Sequence, residues 1–413
     1  MPLSLAAVRE SFSLRENARH ILVAPNKDAH LRPLDGLRAL SVLWVLLFHA
    51  GWYAFIALPL PRYVELLHEP WMLPLWRGDF GVDVFFVLSG FLIGGILHDE
   101  RRASKTVRVG RFLARRLMRL WPTLVVATLL DVVVLGEPPG RAWANLLYVS
   151  NLLPILNVNM GWTWSLSIEE QFYLAAPWLF RASAARRLLV LALLLLAFVA
   201  VAGAVVHLRG FHVADSEIVL TRPLEFWAPA YDALYSKPWM RVGPLVAGVI
   251  AADLYRRPRV MNALAKTGAA GGGVFLVALV LAALATHWPL AFGSPRPLEI
   301  LFLASYRTVF GLSTAFVLLF SLSSHPLGRR IGRALSSRLL FPFAQLAYAA
   351  YLLNPIVAMK VHPMLAARAA AAPSPMVWFI PADLALTFAA AFVVSMAIER
   401  PFMNLRRHVR FTR

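Results

Sequence analysis

The chain has no cysteine, which removes disulfides, thiolate nucleophiles and Cys-ligated zinc from consideration. It is also short of charge. Only 15% of its 413 residues are Asp, Glu, Lys or Arg against 59% hydrophobic, too little polar material to cover a soluble protein. Acids are scarcest, at 22 beside 41 Lys and Arg. The cation surplus does not read as nucleic-acid binding, because the basic residues fall in short clusters between apolar runs instead of on one polar domain. No HExxH pattern or other ligand cluster is present, so no metal is inferred. The glycine run GAAGGG at 268–273 lacks the Lys-Ser/Thr of a phosphate loop and only opens an apolar segment. Residues 1–32 are polar and basic without the apolar core of a secretory signal, and are expected to form a cytoplasmic extension.

What remains is apolar sequence in quantity. About 20 mostly apolar residues cross a bilayer as a helix, and ten such stretches are predicted. They lie at 37–58, 79–98, 118–136, 164–181, 187–207, 239–255, 268–288, 299–321, 341–361 and 377–399. The segment 142–157 is apolar but short and is expected to be re-entrant or interfacial. With the N-terminus inside, 29 of the basic residues fall on the inner side and eight on the outer, as the positive-inside rule asks. The expected fold class is therefore all-α: a polytopic membrane protein of about ten transmembrane helices with cytoplasmic N- and C-termini. The extension 1–32 would precede one membrane domain, 33–407, and a basic tail, 408–413. The outer loop 208–238, with Asp215, Glu217, Glu225, Trp227, Tyr231 and Asp232, reads as a lid, an acceptor surface or a plain connection.

Ionisable groups inside apolar spans mark the chemistry, since each is expensive in the bilayer. In LDGLRALSVLWVLLFHA, residues 34–50, Arg38 and His49 are eleven residues apart. They share nearly one helix face and are separated by about 16 Å along the axis. Arg38 sits at the cytoplasmic edge, where it either binds an anion or snorkels to headgroups. His49 sits near mid-membrane, as a functional base or as a neutral ring bonded to a neighbouring helix. By the span boundaries, the other histidines fall in loops, tails or at span ends.

The stretch VRVGRFLARRLMRLWP, residues 107–122, places Arg115, Arg116 and Arg119 at the cytoplasmic start of the third span. Arg116 and Arg119 share a face and offer two guanidinium forks suited to phosphate. In GWTWSLSIEEQFY, residues 161–173, the adjacent acids Glu169 and Glu170 point about 100 degrees apart, so one of them faces a given site. Their neighbours Trp164, Ser165 and Tyr173 serve either a substrate or an interfacial belt. In GDFGVDVFFVLSGFLIGG, Asp83 either orients His49 or a substrate hydroxyl, or pairs with a buried Arg241 or Arg307. Tyr348, Tyr351 and Asn354 follow one another at offsets of three and make one polar stripe, for substrate or for helix association.

These clusters, in this order, resemble the acyltransferase 3 family of bacterial membrane O-acyltransferases. Arg38 and His49 match the family's first-span pair, and GVDVFFVLSGFLI at 81–93 its second-span signature. RRLMRLWP at 115–122 and WSLSIEEQFY at 164–173 match two further motifs, while RVGPLVAGVIAA at 241–252 and ERPFMNLRR at 399–407 look like later landmarks. The resemblance covers residues 32–407. It implies a multi-pass protein of the bacterial cytoplasmic (inner) membrane that transfers an acyl group to a hydroxyl. Acetyl from acetyl-CoA is the expected donor, with no permanently bound cofactor. The acceptor implied is a glycan, lipid-linked glycan, peptidoglycan or macrolide-like product.

On that reading Arg38, Arg115, Arg116 and Arg119 hold the CoA phosphates, and His49 acts as general base or transient acyl carrier. Glu169, then Asp83, is the carboxylate expected to position His49 or the acceptor. Trp164, Ser165, Tyr173, Tyr348 and Asn354 are expected along the substrate path. Asn354 stands where many members have a His. The rival reading is a proton-coupled transporter, which also needs intramembrane His and acids but predicts inverted repeats that are not found.

Overall fold

A computed structural model describes residues 9–25, 31–213, 224–286 and 293–408. Asp215, Glu217 and the side chain of Glu225 from the outer loop lie outside the described residues, as does the tail 409–413. Among the described residues there is no strand. The principal helices are α1 (Leu14–Leu22), α2 (Arg32–Trp52), α3 (Phe80–Ser104), α4 (Val109–Leu130), α5 (Trp164–Leu179) and α6 (Ala184–Arg209). They continue as α7 (Pro238–Tyr255), α8 (Gly268–Thr286), α9 (Arg296–Ser321), α10 (Pro326–Leu335), α11 (Phe341–Ala371) and α12 (Met376–Val394).

Among the described residues, eight helices are long and apolar enough to cross a membrane, and the chain is an all-α, multi-pass membrane protein. The other two expected spans also fold as helices, but differently. Helix α5 has 16 residues, and α7 carries Arg241 and Asp253, so neither meets the length and apolarity of a lipid-facing span. The interior of the bundle tolerates this, because α7 packs chiefly on α3 and α9 and is mostly buried. Helices α6 and α8 show the opposite pattern, with Leu193, Leu196 and Leu276 exposed on outward faces suited to lipid.

Close packing of α3 on α7 depends on two glycines. A Cβ on Gly90 would sit 2.0 Å from the Leu245 carbonyl oxygen, and one on Gly248 would sit 2.1 Å from that of Val87. Small residues let the backbones meet where no hydrophobic effect drives helix association in lipid.

Below this contact lies a knot of buried charge. Arg241 Nη1 donates to Asp83 Oδ1 at 3.0 Å and Oδ2 at 2.9 Å, and Arg307 Nη1 donates to Asp83 Oδ2 at 2.6 Å. Arg307 Nη2 also donates to Asp79 Oδ2. Two acids neutralise two cations, and the guanidiniums lie over aromatic faces, Arg307 3.9 Å from the Phe80 centroid and Arg241 4.1 Å from that of Tyr235. The network ties α3, α7 and α9 in one register.

One feature departs from the expectations. His362, placed by sequence at the end of the ninth span, is fully buried inside the 31-residue α11 and lies 3.0 Å from Asp383 of α12. The described part of the N-terminal extension is also docked: Asn17 of α1 donates to the Met396 carbonyl at 3.3 Å and accepts from Asn404 at 2.9 Å. The segment 142–157 folds as short helical turns, and Tyr148 within it and Met160 just after it adopt positive φ of 56° and 43°.

Candidate active site

Two cavities lie along the bundle interior, one toward each end. The first has about 130 Å³ and gathers the ends that basic-residue counting assigns to one side. The start of α2 contributes Arg38, the start of α4 Arg116 and Arg119, and the start of α11 Gln345. The chain leaving α12 adds Glu399 and Arg400. Helix α5 presents Glu169 and Tyr173, one turn apart, and α3 presents Ser89.

Glu169 Oε1 accepts from both Ser89 Oγ and Tyr173 OH, and those two hydroxyls are 2.5 Å apart. Arg116 lies 5.2 Å from the centroid of the Tyr173 ring. Arg400 Nη2 donates to Gln345 Oε1 at 2.5 Å. Arg38 has a loose ion pair with Asp35 at 3.6 Å, and the buried Nε of Arg119 has no hydrogen-bond partner among the described residues. Four guanidiniums thus face two carboxylates, a net positive pocket shaped for an anion. Arg115 does not line it, because an adjacent helical position points about 100 degrees away from Arg116.

The second cavity holds about 650 Å³ at the opposite end. Its walls are aromatic, with Trp52, Tyr53, Trp162, Trp164, Trp227, Tyr231 and Tyr235 among them. His49 lines it near the bundle centre and is 8% exposed. Its Nδ1 is 2.9 Å from Asn354 Oδ1, while Asn354 Nδ2 donates to Thr387 Oγ1 at 3.1 Å. With the amide NH2 committed to Thr387, the amide oxygen accepts from Nδ1–H, which leaves the Nε2 lone pair free to accept a proton. Tyr53 holds the ring edge-on at 5.7 Å between centroids. Asp131 and Glu137 add acidity to a wall that also contains the Asp79–Arg307 pair.

The expected residues divide between the cavities. Arg38, Arg116, Arg119, Glu169, Tyr173 and Tyr348 line the basic pocket, whereas His49 and Trp164 line the aromatic cavity. Two expected partnerships of His49 are corrected. Glu169 does not touch it, being held by Ser89 and Tyr173 among the arginines. Asp83 does not touch it either, because both its oxygens are taken by Arg241 and Arg307 and it is fully buried. Asn354, expected on the substrate path, holds the imidazole instead. Tyr348 donates to the Leu120 carbonyl at 2.7 Å, and Ser165 bonds Tyr351 at 2.7 Å.

Sequence reasoning missed Thr387, Gln345 and Tyr53 and the pocket role of Glu399 and Arg400. The last two had a signal, since they open the ERPFMNLRR landmark. Thr387 and Gln345 sit in helices without a distinguishing pattern.

The fold and the two cavities define a class: polytopic, all-helical membrane proteins with an arginine-lined pocket at one end and, toward the other, an aromatic chamber with an intramembrane histidine in its wall. The acyltransferase 3 profile, described as an acyltransferase domain, matches residues 32–400, and the chain belongs to that family. It is 33% identical over 165 residues to a peptidoglycan O-acetyltransferase of Listeria monocytogenes, covering 35% of this chain and 23% of that protein. It is 24% identical over 449 aligned positions to nose resistant to fluoxetine protein 6 of Caenorhabditis elegans, covering 96% of this chain and 53% of that protein. The chain therefore spans between a quarter and about half the length of these curated relatives. No solved structure matches it.

Proposed function

We propose that this protein is a membrane O-acyltransferase that moves an acyl group, acetyl first, from acyl-CoA to a hydroxyl of a carbohydrate-containing acceptor. The observation that carries this reading is the orientation of His49. A buried imidazole with Nδ1 anchored and Nε2 free faces a chamber of about 650 Å³, while a cationic pocket lies on the other side of a thin wall.

Arg38, Arg116 and Arg119 bind the CoA phosphates. Positive-inside topology puts that pocket on the cytoplasmic side, where acyl-CoA is made. Along α2, Arg38 and His49 are about 16 Å apart, a distance that an extended pantetheine arm bridges. The aromatic chamber takes the acceptor, its indole and phenol faces suited to the C–H faces of sugar rings.

In the chemical step Nε2 of His49 removes the acceptor hydroxyl proton as the oxygen attacks the thioester carbonyl. The C–S bond breaks, an ester forms, and the thiolate leaves with the proton returned from His49. General-base assistance of this kind contributes about 10²–10⁴ in rate. The arginine pocket and the family both fit a group transferase, and neither favours the transporter reading.

The test is turnover of radiolabelled acetyl-CoA by the purified protein in proteoliposomes, comparing the native chain with His49→Ala. Label transfer or CoA release that falls at least a hundredfold in the variant supports the assignment. A native protein that neither binds nor cleaves acetyl-CoA or longer acyl-CoAs overturns it.

A further inference from the structure

The two cavities come within one layer of side chains of each other. Among the described residues, Val82 of α3 and Tyr351 of α11 are the two that line both. Tyr351 is held on both sides of its hydroxyl: it donates to the Trp162 carbonyl at 2.6 Å and accepts from Ser165 Oγ at 2.7 Å. Trp162 Nε1 in turn donates to the Leu352 carbonyl at 3.3 Å, so the start of α5 is pinned to α11 at this level. Tyr351 is also one helical turn before Asn354, the residue that holds His49. Pro355 has no N–H for the Tyr351 carbonyl, so the backbone hydrogen-bond ladder of α11 is interrupted here.

We propose that Tyr351, with Val82, is the partition between the basic pocket and the aromatic cavity, and that its ring sets the length of acyl chain that reaches His49. The second half of this inference rests on the donor and acceptor assignment above. A latched phenol ring and a branched aliphatic side chain thus fill the gap between the two chambers. A thioester carbonyl must pass this layer to meet a hydroxyl at His49. The acyl chain, which leads that carbonyl, has to thread between Tyr351 and Val82 first. Pocket walls of this kind discriminate by about tenfold or more per added methylene.

The absence of cysteine makes the test direct. Single cysteines replace Leu92, which lines the basic pocket, or Phe48, which lines the aromatic cavity. A charged, membrane-impermeant methanethiosulfonate reagent is then added to either face of oriented proteoliposomes. Leu92→Cys is expected to react from the basic face alone and Phe48→Cys from the opposite face alone. Adding Tyr351→Ala makes Phe48→Cys reactive from the basic face, whereas Tyr351→Phe, which keeps the ring, does not. Val82→Ala removes part of the same wall and is read the same way if Tyr351→Ala does not fold.

Reaction of Phe48→Cys from the basic face with Tyr351 intact overturns the partition, as does its continued protection in both opened variants. For chain length, the ratio of hexanoyl-CoA to acetyl-CoA turnover is expected to rise by at least about tenfold in Tyr351→Ala, the discrimination of a single methylene. An unchanged ratio refutes the role in selection. A native protein that cleaves no acyl-CoA removes the donor assignment and the selection role with it, and the labelling pattern still decides the partition.

Discussion

Asn354 offers the sharpest test of the site, because its one hydrogen bond to His49 is asked to do chemical work. The bond is 2.9 Å long, in a site where the imidazole is 8% exposed, and Thr387 fixes the amide that makes it. Asn354→Ala leaves Nδ1 without an acceptor and releases the proton to either nitrogen. A buried donor left unmade costs about 1–3 kcal/mol. If that energy now holds the ring in the productive tautomer, its loss lowers turnover by about fivefold to 160-fold, at 1.36 kcal/mol per decade.

The basic pocket, proposed above as the donor site, lies on the other side of Tyr351, so KM for acyl-CoA is expected to stay within about twofold. Asn354→Asp restores an acceptor for Nδ1–H and is expected to recover most of the activity, as carboxylates commonly orient catalytic imidazoles. The assay is steady-state acyl transfer in proteoliposomes with the melting temperature of each variant measured beside it. A fully active Asn354→Ala would refute the orienting role. So would a loss that appears only in donor KM, or an Asn354→Asp no better than the alanine variant.

Other outcomes follow from the same geometry. Arg116→Ala/Arg119→Ala should raise KM for acyl-CoA tenfold or more with a smaller change in kcat, and native KM should climb with ionic strength; unchanged donor KM would move the phosphate site elsewhere. Asp83→Ala strips Arg241 of its counter-ion in the interior, leaves Arg307 with Asp79 alone, and should destabilise the fold by about 3–5 kcal/mol, read as a lower melting temperature or lost expression. A stably folded but inactive Asp83→Ala would return this carboxylate to the chemistry.

The spans were legible because hydropathy sums over local sequence, and eight of the ten predicted stretches are helices of spanning length and apolarity. Helices α5 and α7 were legible as helices but not as interior ones, since their polar content reflects shielding by neighbours distant in the chain. The basic pocket was half readable. Arg38, Arg116 and Arg119 stand out as cations at span starts, but that they meet Glu399 and Arg400 depends on how α2, α4 and α12 pack. The partners of the carboxylates stay open in the sequence for the same reason: contacts across the bundle decide them, pairing Asp83 with Arg241 158 residues away, one of its two expected roles, and holding Glu169 by Ser89 and Tyr173.

The sequence by itself determined the medium and the vocabulary: a membrane, helices, a side rich in arginine, an imidazole in mid-span. Each of these is a local property, because transfer free energy and helix formation are decided within a few turns. Only the tertiary structure decided which way each helix is turned about its axis. Rotation is set by small-residue contacts such as Gly90 on Leu245 and by the buried charge knot, and one residue of rotation moves a side chain about 100 degrees. That rotation faces Glu169 toward the arginines, Asn354 toward His49, and Tyr351 into the wall between two cavities.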